Sequence, residues 1–138
     1  MKRLQVIIFV VTALIVICGA ERPEKKCARE HKNEKSCIIP CVYTYYEFLD
    51  KQYRVTKRHV DNYRNFLLKY KAVQEDKLKD LENHLYDCLK ISKSPEESSL
   101  VEKCEKARKF EHCIIDKNIL NYPVYYNAFK KLNFVMDV

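Results

Sequence analysis

Two cysteines on one helix constrain this chain most. Residues 94–116 (SPEESSLVEKCEKARKFEHCIID) read as a helix with a written start. Ser94 is a cap, Pro95 takes the first helical position and Glu97 falls three residues after the cap. Within it Cys104 and Cys113 are nine steps apart, and at about 100° per residue that places the sulfurs on opposite sides. Each must bond a different neighbour, so the helix is a spine stapled on both flanks.

The other cysteines are therefore read as partners. The chain holds seven, and the first twenty residues account for one of them. Lys2 and Arg3 precede the apolar run VIIFVVTALIVI, and Cys18, Gly19 and Ala20 supply small residues for cleavage after Ala20. That pattern predicts a secretory signal peptide over residues 1–20 and one domain over 21–138. No later stretch is apolar enough to cross a bilayer. Cleavage leaves Cys27, Cys37, Cys41, Cys88, Cys104 and Cys113, an even set that implies three disulfides in a secreted chain. Cys37 and Cys41 lie four apart, side by side on a helix face, and are expected to tie to two different elements. Arithmetic alone leaves about fifteen pairings open.

Glycine gives the sharpest exclusion. The only one is Gly19. The domain has no phosphate-cradling loop, dinucleotide fingerprint, nucleophile elbow or calcium-binding helix–loop–helix. It also lacks an Asn-x-Ser/Thr sequence for N-glycosylation.

The remaining segments read as helices. Residues 24–33 are charged, with Lys25, Arg29 and Lys32 spaced four and three apart. Those cations are either a stripe for a polyanion or a solvated face. Residues 36–50 are apolar and aromatic, with Pro40 marking a first turn or a kink. Residues 56–70, capped by Thr56, carry the stripe Val60, Tyr63, Phe66, Leu67 and Tyr70. Residues 76–91 form the clearest amphipathic helix, with Leu78, Leu81, Leu85, Cys88 and Leu89 on one face. Residues 121–134 are rich in tyrosine and phenylalanine and are expected to fold back on the core. No alternating strand pattern occurs, so the fold class is all-α: five to six short helices in a disulfide-braced bundle.

Catalytic chemistry has no foothold. His84 and Cys88 share a face and could suit zinc, but Cys88 is needed for a disulfide and no second such pair exists. An even cysteine count leaves no thiol nucleophile. The acid pairs Glu75/Asp76 and Glu96/Glu97 sit at helix starts, where the dipole accounts for them. The expectation is a non-enzyme without metal or cofactor. The net charge of +7 falls to +5 without Lys2 and Arg3, an excess that favours acidic partners. Outside cells, polyanions other than nucleic acid are the natural targets.

The cysteine set also carries a resemblance. Cys37-x3-Cys41, a distant Cys88 and Cys104-x8-Cys113 resemble the insect odorant-binding superfamily. The short gap from Cys27 to Cys37, with KKCAREHKN, CVYTYYEF, FLLKYKAV and the aromatic tail, looks like the small odorant-binding-like salivary proteins of blood-feeding phlebotomine sand flies. The likeness covers nearly the whole of residues 21–138. It implies an odorant-binding-like helical fold with pairs Cys27–Cys41, Cys37–Cys104 and Cys88–Cys113. It also implies secretion in saliva and an anticoagulant role. Such a protein would bind heparin-like or polyphosphate-like polyanions, with host contact-pathway factors as further partners, and so block surface-triggered clotting. The cations for that role are Lys25, Lys26, Arg29 and Lys32; Lys103, Lys106, Arg108 and Lys109 on the spine, where three-residue steps suggest a slanted patch; and Lys130 and Lys131. Two other functions fit the same residues. One is a carrier of a small hydrophobic ligand, suggested by ten tyrosines and six phenylalanines. The other is a direct protein–protein inhibitor of a host haemostatic or immune factor.

Overall fold

The computed structural model describes residues 21–92, 99–116 and 118–135. The predicted signal peptide, and the Ser94, Pro95 and Glu97 helix start, lie outside them. Among the described residues six α-helices follow one another: α1 Pro23–Glu30, α2 Ile38–Tyr45, α3 Lys57–Lys69, α4 Leu78–Ile91, α5 Leu100–Ile114 and α6 Tyr122–Val135. Short 3-10 turns, Lys35–Cys37 and Glu75–Lys77, lead into α2 and α4. The all-α expectation holds. No helix among the described residues is long and apolar enough to span a membrane.

The spine helix is α5, and it starts later than the first cap signal suggests. Ser99 accepts from the Glu102 N–H at 3.3 Å, and the Glu102 carboxylate accepts from the Ser99 N–H at 2.7 Å. This reciprocal pair satisfies two amide donors that the helix itself leaves open. The chain writes the same Ser-x-x-Glu spacing twice, five residues apart, and α5 uses the second.

Three disulfides clamp the bundle: Cys27–Cys41, Cys37–Cys104 and Cys88–Cys113. This is the pairing the resemblance implies. Cys27–Cys41 ties α1 to α2. The other two hold α5 from opposite sides, Cys104 toward the turn before α2 and Cys113 toward α4.

The core is aromatic. Val60, Tyr63, Phe66 and Leu67 of α3 are buried, as their spacing predicts. Phe48 packs edge-on against Tyr63 at 5.1 Å, and Phe129 of α6 sits 4.8 Å from Phe66 and 4.9 Å from Tyr125. On α4, Leu81, Leu85 and Cys88 are buried, but Leu78, the first residue of the helix, is 49% exposed. The aromatic tail does fold back: Tyr125 and Ala128 are buried, whereas Tyr122 and Tyr126 face outward. Among the described residues an isolated antiparallel bridge, Val73 to Leu120, pins the segment after α3 to the one before α6.

A domain without glycine must still end its helices. After α2 the Phe48 N–H bonds the Tyr43 carbonyl at 3.0 Å and the Glu47 N–H bonds that of Thr44 at 3.2 Å. After α3 the Ala72 N–H bonds the Leu67 carbonyl at 2.8 Å and the Lys71 N–H bonds that of Leu68 at 3.1 Å. Both are Schellman caps, which place one residue in the left-handed region where glycine is favoured. Here Glu47 (φ 57°) and Lys71 (φ 53°) occupy it.

Candidate polyanion-binding surface

The cations named from the sequence fall into three groups. On α1, Lys25 and Arg29 are exposed. Arg29 pairs with Glu21, so part of its charge is already met within the chain. Lys26 lies over the Tyr45 ring at 5.5 Å, and its pKa is raised chiefly by the hydrogen bond to the Tyr45 hydroxyl. Lys32 does not continue the α1 face. The helix ends at Glu30, and His31 turns away, its Nε2 2.9 Å from the Tyr53 hydroxyl.

On α5 the inward face is Cys104, Ala107, Phe110 and Ile114. Lys103 and Lys106 are half-buried along one flank, Lys109 is exposed, and Arg108 is half-buried along the other. Each three-residue step turns back by about 60°, so Lys103 and Lys109 are separated by roughly 120° around the helix. Glu102 and Glu105 stand exposed among them. The Glu102 carboxyl is held below the usual carboxylate range first by the Ser99 N–H and hydroxyl, and also by Lys106. The slanted patch suggested by the spacing is thus interrupted by acids.

On α6, Lys130 and Lys131 are exposed in a helix that contains no acidic residue. Lys130 Nζ sits 4.7 Å from the Tyr126 ring centroid.

The Cys37–Cys104 disulfide joins what the sequence separates. It brings the two Cα atoms to 4.9 Å. Lys35, exposed and two residues before Cys37, is thereby carried to the start of α5, where Lys103 precedes Cys104. Arg108 follows one turn along α5, about 40° from the Cys104 direction. Lys35 and Lys103 are thus each within two residues of one disulfide, whereas Arg108 leaves α5 about 140° from Lys103 and Lys32 is five residues from Cys37 in sequence. Lys35 was not among the cations singled out from the sequence. Its neighbourhood emerges only when the Cys37–Cys104 pairing is used to merge two segments 67 residues apart.

Other cations serve the fold. Arg54 bonds Asp50 at 2.8 Å, Lys90 bonds Asp87 at 2.7 Å, and Arg58 approaches Glu47 at 3.6 Å. Such exposed pairs contribute little stability, about 0–1 kcal/mol each, yet they lower the net field of the surfaces that carry them. His84, considered for zinc, has its Nε2 2.8 Å from the Cys113 carbonyl oxygen and 3.7 Å from Cys88 Sγ. Both sulfurs beside it belong to the Cys88–Cys113 disulfide and have no thiolate to offer.

Ayaconin of Lutzomyia ayacuchensis is 29% identical over 112 residues, 80% of this chain and 76% of its own length. Salivary proteins 15b and 15a of Phlebotomus duboscqi are 28% and 27% identical over 124 residues, 87% of this chain and 87% of their own. The chain's relatives are salivary proteins of sand flies. No family model matches the chain.

Proposed function

We propose that this is a secreted, non-catalytic salivary protein, an odorant-binding-like helical bundle, that binds anionic polymers and surfaces and thereby blocks contact-pathway activation of host clotting. The relatives support the salivary setting. The observation that carries the binding role is the junction at Cys37–Cys104, which carries Lys35 and Lys103 from two distant segments onto one support. A disulfide-fixed pair loses little conformational freedom on binding, so its charge is used efficiently. Contact activation gathers clotting factors on negative charge. A protein that neutralises several of those charges releases counterions and masks the surface, by the linear-charge logic known from nucleic acids.

The carrier reading has weaker support. In the middle of the bundle Tyr43, Phe48, Phe66 and Phe129 pack ring on ring, filling the space that an apolar ligand would need. Direct inhibition of a protein factor finds support in the outward Tyr122 and Tyr126, residue types common at binding hot spots.

The test is clotting in plasma triggered in two ways. The proposal expects the chain 21–138 to delay clotting triggered by kaolin or polyphosphate, to leave tissue-factor-triggered clotting unchanged, and to lose its effect when excess polyanion is added. Equal delay in both assays, or delay in neither, contradicts it.

A further inference from the structure

Grooves open on the surface among the described residues, and three can be compared. One, of about 370 Å³, lies before α3 and is lined in part by Glu47 and Asp50. A second, also about 370 Å³, lies beside the Val73 bridge and is lined in part by Glu75. The third, of about 320 Å³, runs between α2, α3 and α6, and none of its lining residues is acidic. Its floor is Tyr46, Phe48 and Phe66, all buried. Its rim carries Asn62, Asn65 and Lys69. Lys26 is outside the lining but lies 5.5 Å from the ring of Tyr45, which lines the groove. Asn62 Nδ2 donates to the Glu47 carbonyl at 3.0 Å, which fixes this amide at the groove wall with its oxygen left to accept.

An apolar floor, amides on the wall and lysines at and near the rim make a specific combination. The floor takes a saturated C–H face. The amides take hydroxyls. The lysines take an anionic substituent; no lining residue is acidic, while Glu24 accepts from the Tyr46 hydroxyl at 3.2 Å and Glu30 and Glu21 act on Lys26. The volume is at the low end for a small-molecule site, enough for one or two sugar rings. We infer that this groove seats an anionic sugar unit of a sulfated polysaccharide, so that the protein takes a sulfated glycan in preference to polyphosphate. The inference rests on the polyanion reading above and narrows it. Polyphosphate has no C–H face and no hydroxyls along its length, so it gains from the lysines alone. A sulfated glycan gains from all three elements.

The experiment is titration calorimetry of the chain 21–138 with a heparin hexasaccharide and with a short polyphosphate, at one fixed salt concentration. Asn65 is exposed on α3, so Asn65→Trp fills the groove mouth without touching the core. Asn65→Trp is expected to weaken the hexasaccharide by about tenfold and polyphosphate by less than about twofold. Lys69→Gln is expected to weaken both, and Lys79→Gln, exposed on α4 away from the groove, neither. Equal loss of both ligands in Asn65→Trp, or no loss of the hexasaccharide, overturns the inference. So does a parent protein that binds polyphosphate but not the hexasaccharide, an outcome that leaves the polyanion reading standing. Binding of neither ligand at low salt removes both.

Discussion

His59 and Glu111 are two titratable side chains whose burial ties stability to pH on the acid side of neutrality. His59 is buried at the start of α3 and takes the role that glutamate usually has in a capping box. The Thr56 N–H donates to its Nδ1 at 3.1 Å. Burial is the main cause lowering its pKa from the ordinary 6.5; Arg58 lowers it further, while Asp50 and Glu47 oppose. A proton on Nδ1 would remove the acceptor and add a cation at the positive end of a helix. The folded state therefore binds this proton less readily than the unfolded one. Its stabilising contribution is complete above pH 6.5 and is lost as pH falls through the lowered value. Thermal melts are expected to show Tm decreasing from pH 7 to pH 5, and His59→Gln, which keeps an acceptor, to flatten that decrease. An unchanged slope in the variant contradicts the assignment. Glu111 behaves in the opposite sense. Its Oε2 is buried without a hydrogen-bond partner, and burial raises its pKa against the pull of His112 and Arg108. The folded state holds this proton more tightly, so stability falls as pH rises from the ordinary carboxyl value through the raised one. Glu111→Gln is expected to raise Tm at pH 7 and to lose that advantage in acid. Neither residue was legible as special in the sequence. His59 looked like one polar residue on a helix face, and Glu111 like one acid in a charged helix. Their environments come from distant residues, the Glu47 and Asp50 segment beside His59 and the Tyr43, Tyr63 and Tyr125 hydroxyls near Glu111.

The helices themselves were largely readable, because the apolar spacing of Val60, Tyr63, Phe66 and Leu67, and of Leu81, Leu85 and Cys88, is strong and local. Their ends were less so. Competing Ser-x-x-Glu signals before α5 have equal local merit, and the cap used is Ser99; Ser99→Ala is expected to cost about 1 kcal/mol in urea unfolding. A reading of the sequence that relies on glycine to mark helix ends finds no mark after α2 or α3. The Schellman caps form regardless, with Phe48 folding back on Tyr43 in an edge-on contact at 5.6 Å. Lys71 holds a left-handed conformation at φ 53°, which costs a residue with a Cβ about 1 kcal/mol. Lys71→Gly is accordingly expected to stabilise the protein by about 0.5–1 kcal/mol, and a loss of stability would show that its side chain has a further role. The disulfides can be ranked in the same way. The bonds close 67, 25 and 14 residues, which in the chain-entropy picture corresponds to about 4, 3.5 and 3 kcal/mol. Replacing Cys37 and Cys104 together with alanine should therefore lower Tm more than replacing Cys27 and Cys41.

Function in this chain belongs to the assembled surface. Its net charge and its cysteine pattern were plain from the residues, and together they pointed to acidic partners and to a braced bundle. What the linear order could not show is which cations meet. Lys25, Arg29 and Lys32 looked like one face, but α1 ends at Glu30 and Lys32 leaves it. Lys103, Lys106 and Lys109 looked like one patch, but the helix rotates them apart among Glu102 and Glu105. The pair that is drawn together, Lys35 and Lys103, is joined across a disulfide. The measurement that tests this account most directly is the affinity of the chain 21–138 for a heparin-type polymer across a series of salt concentrations, repeated with Lys35→Gln and Lys103→Gln combined. Engagement of three to four cations predicts that log K falls against log salt with a slope of roughly −2 to −4, and that the double variant reduces this slope by about 1 to 2. A slope near zero, or one the variant leaves unchanged, would contradict it.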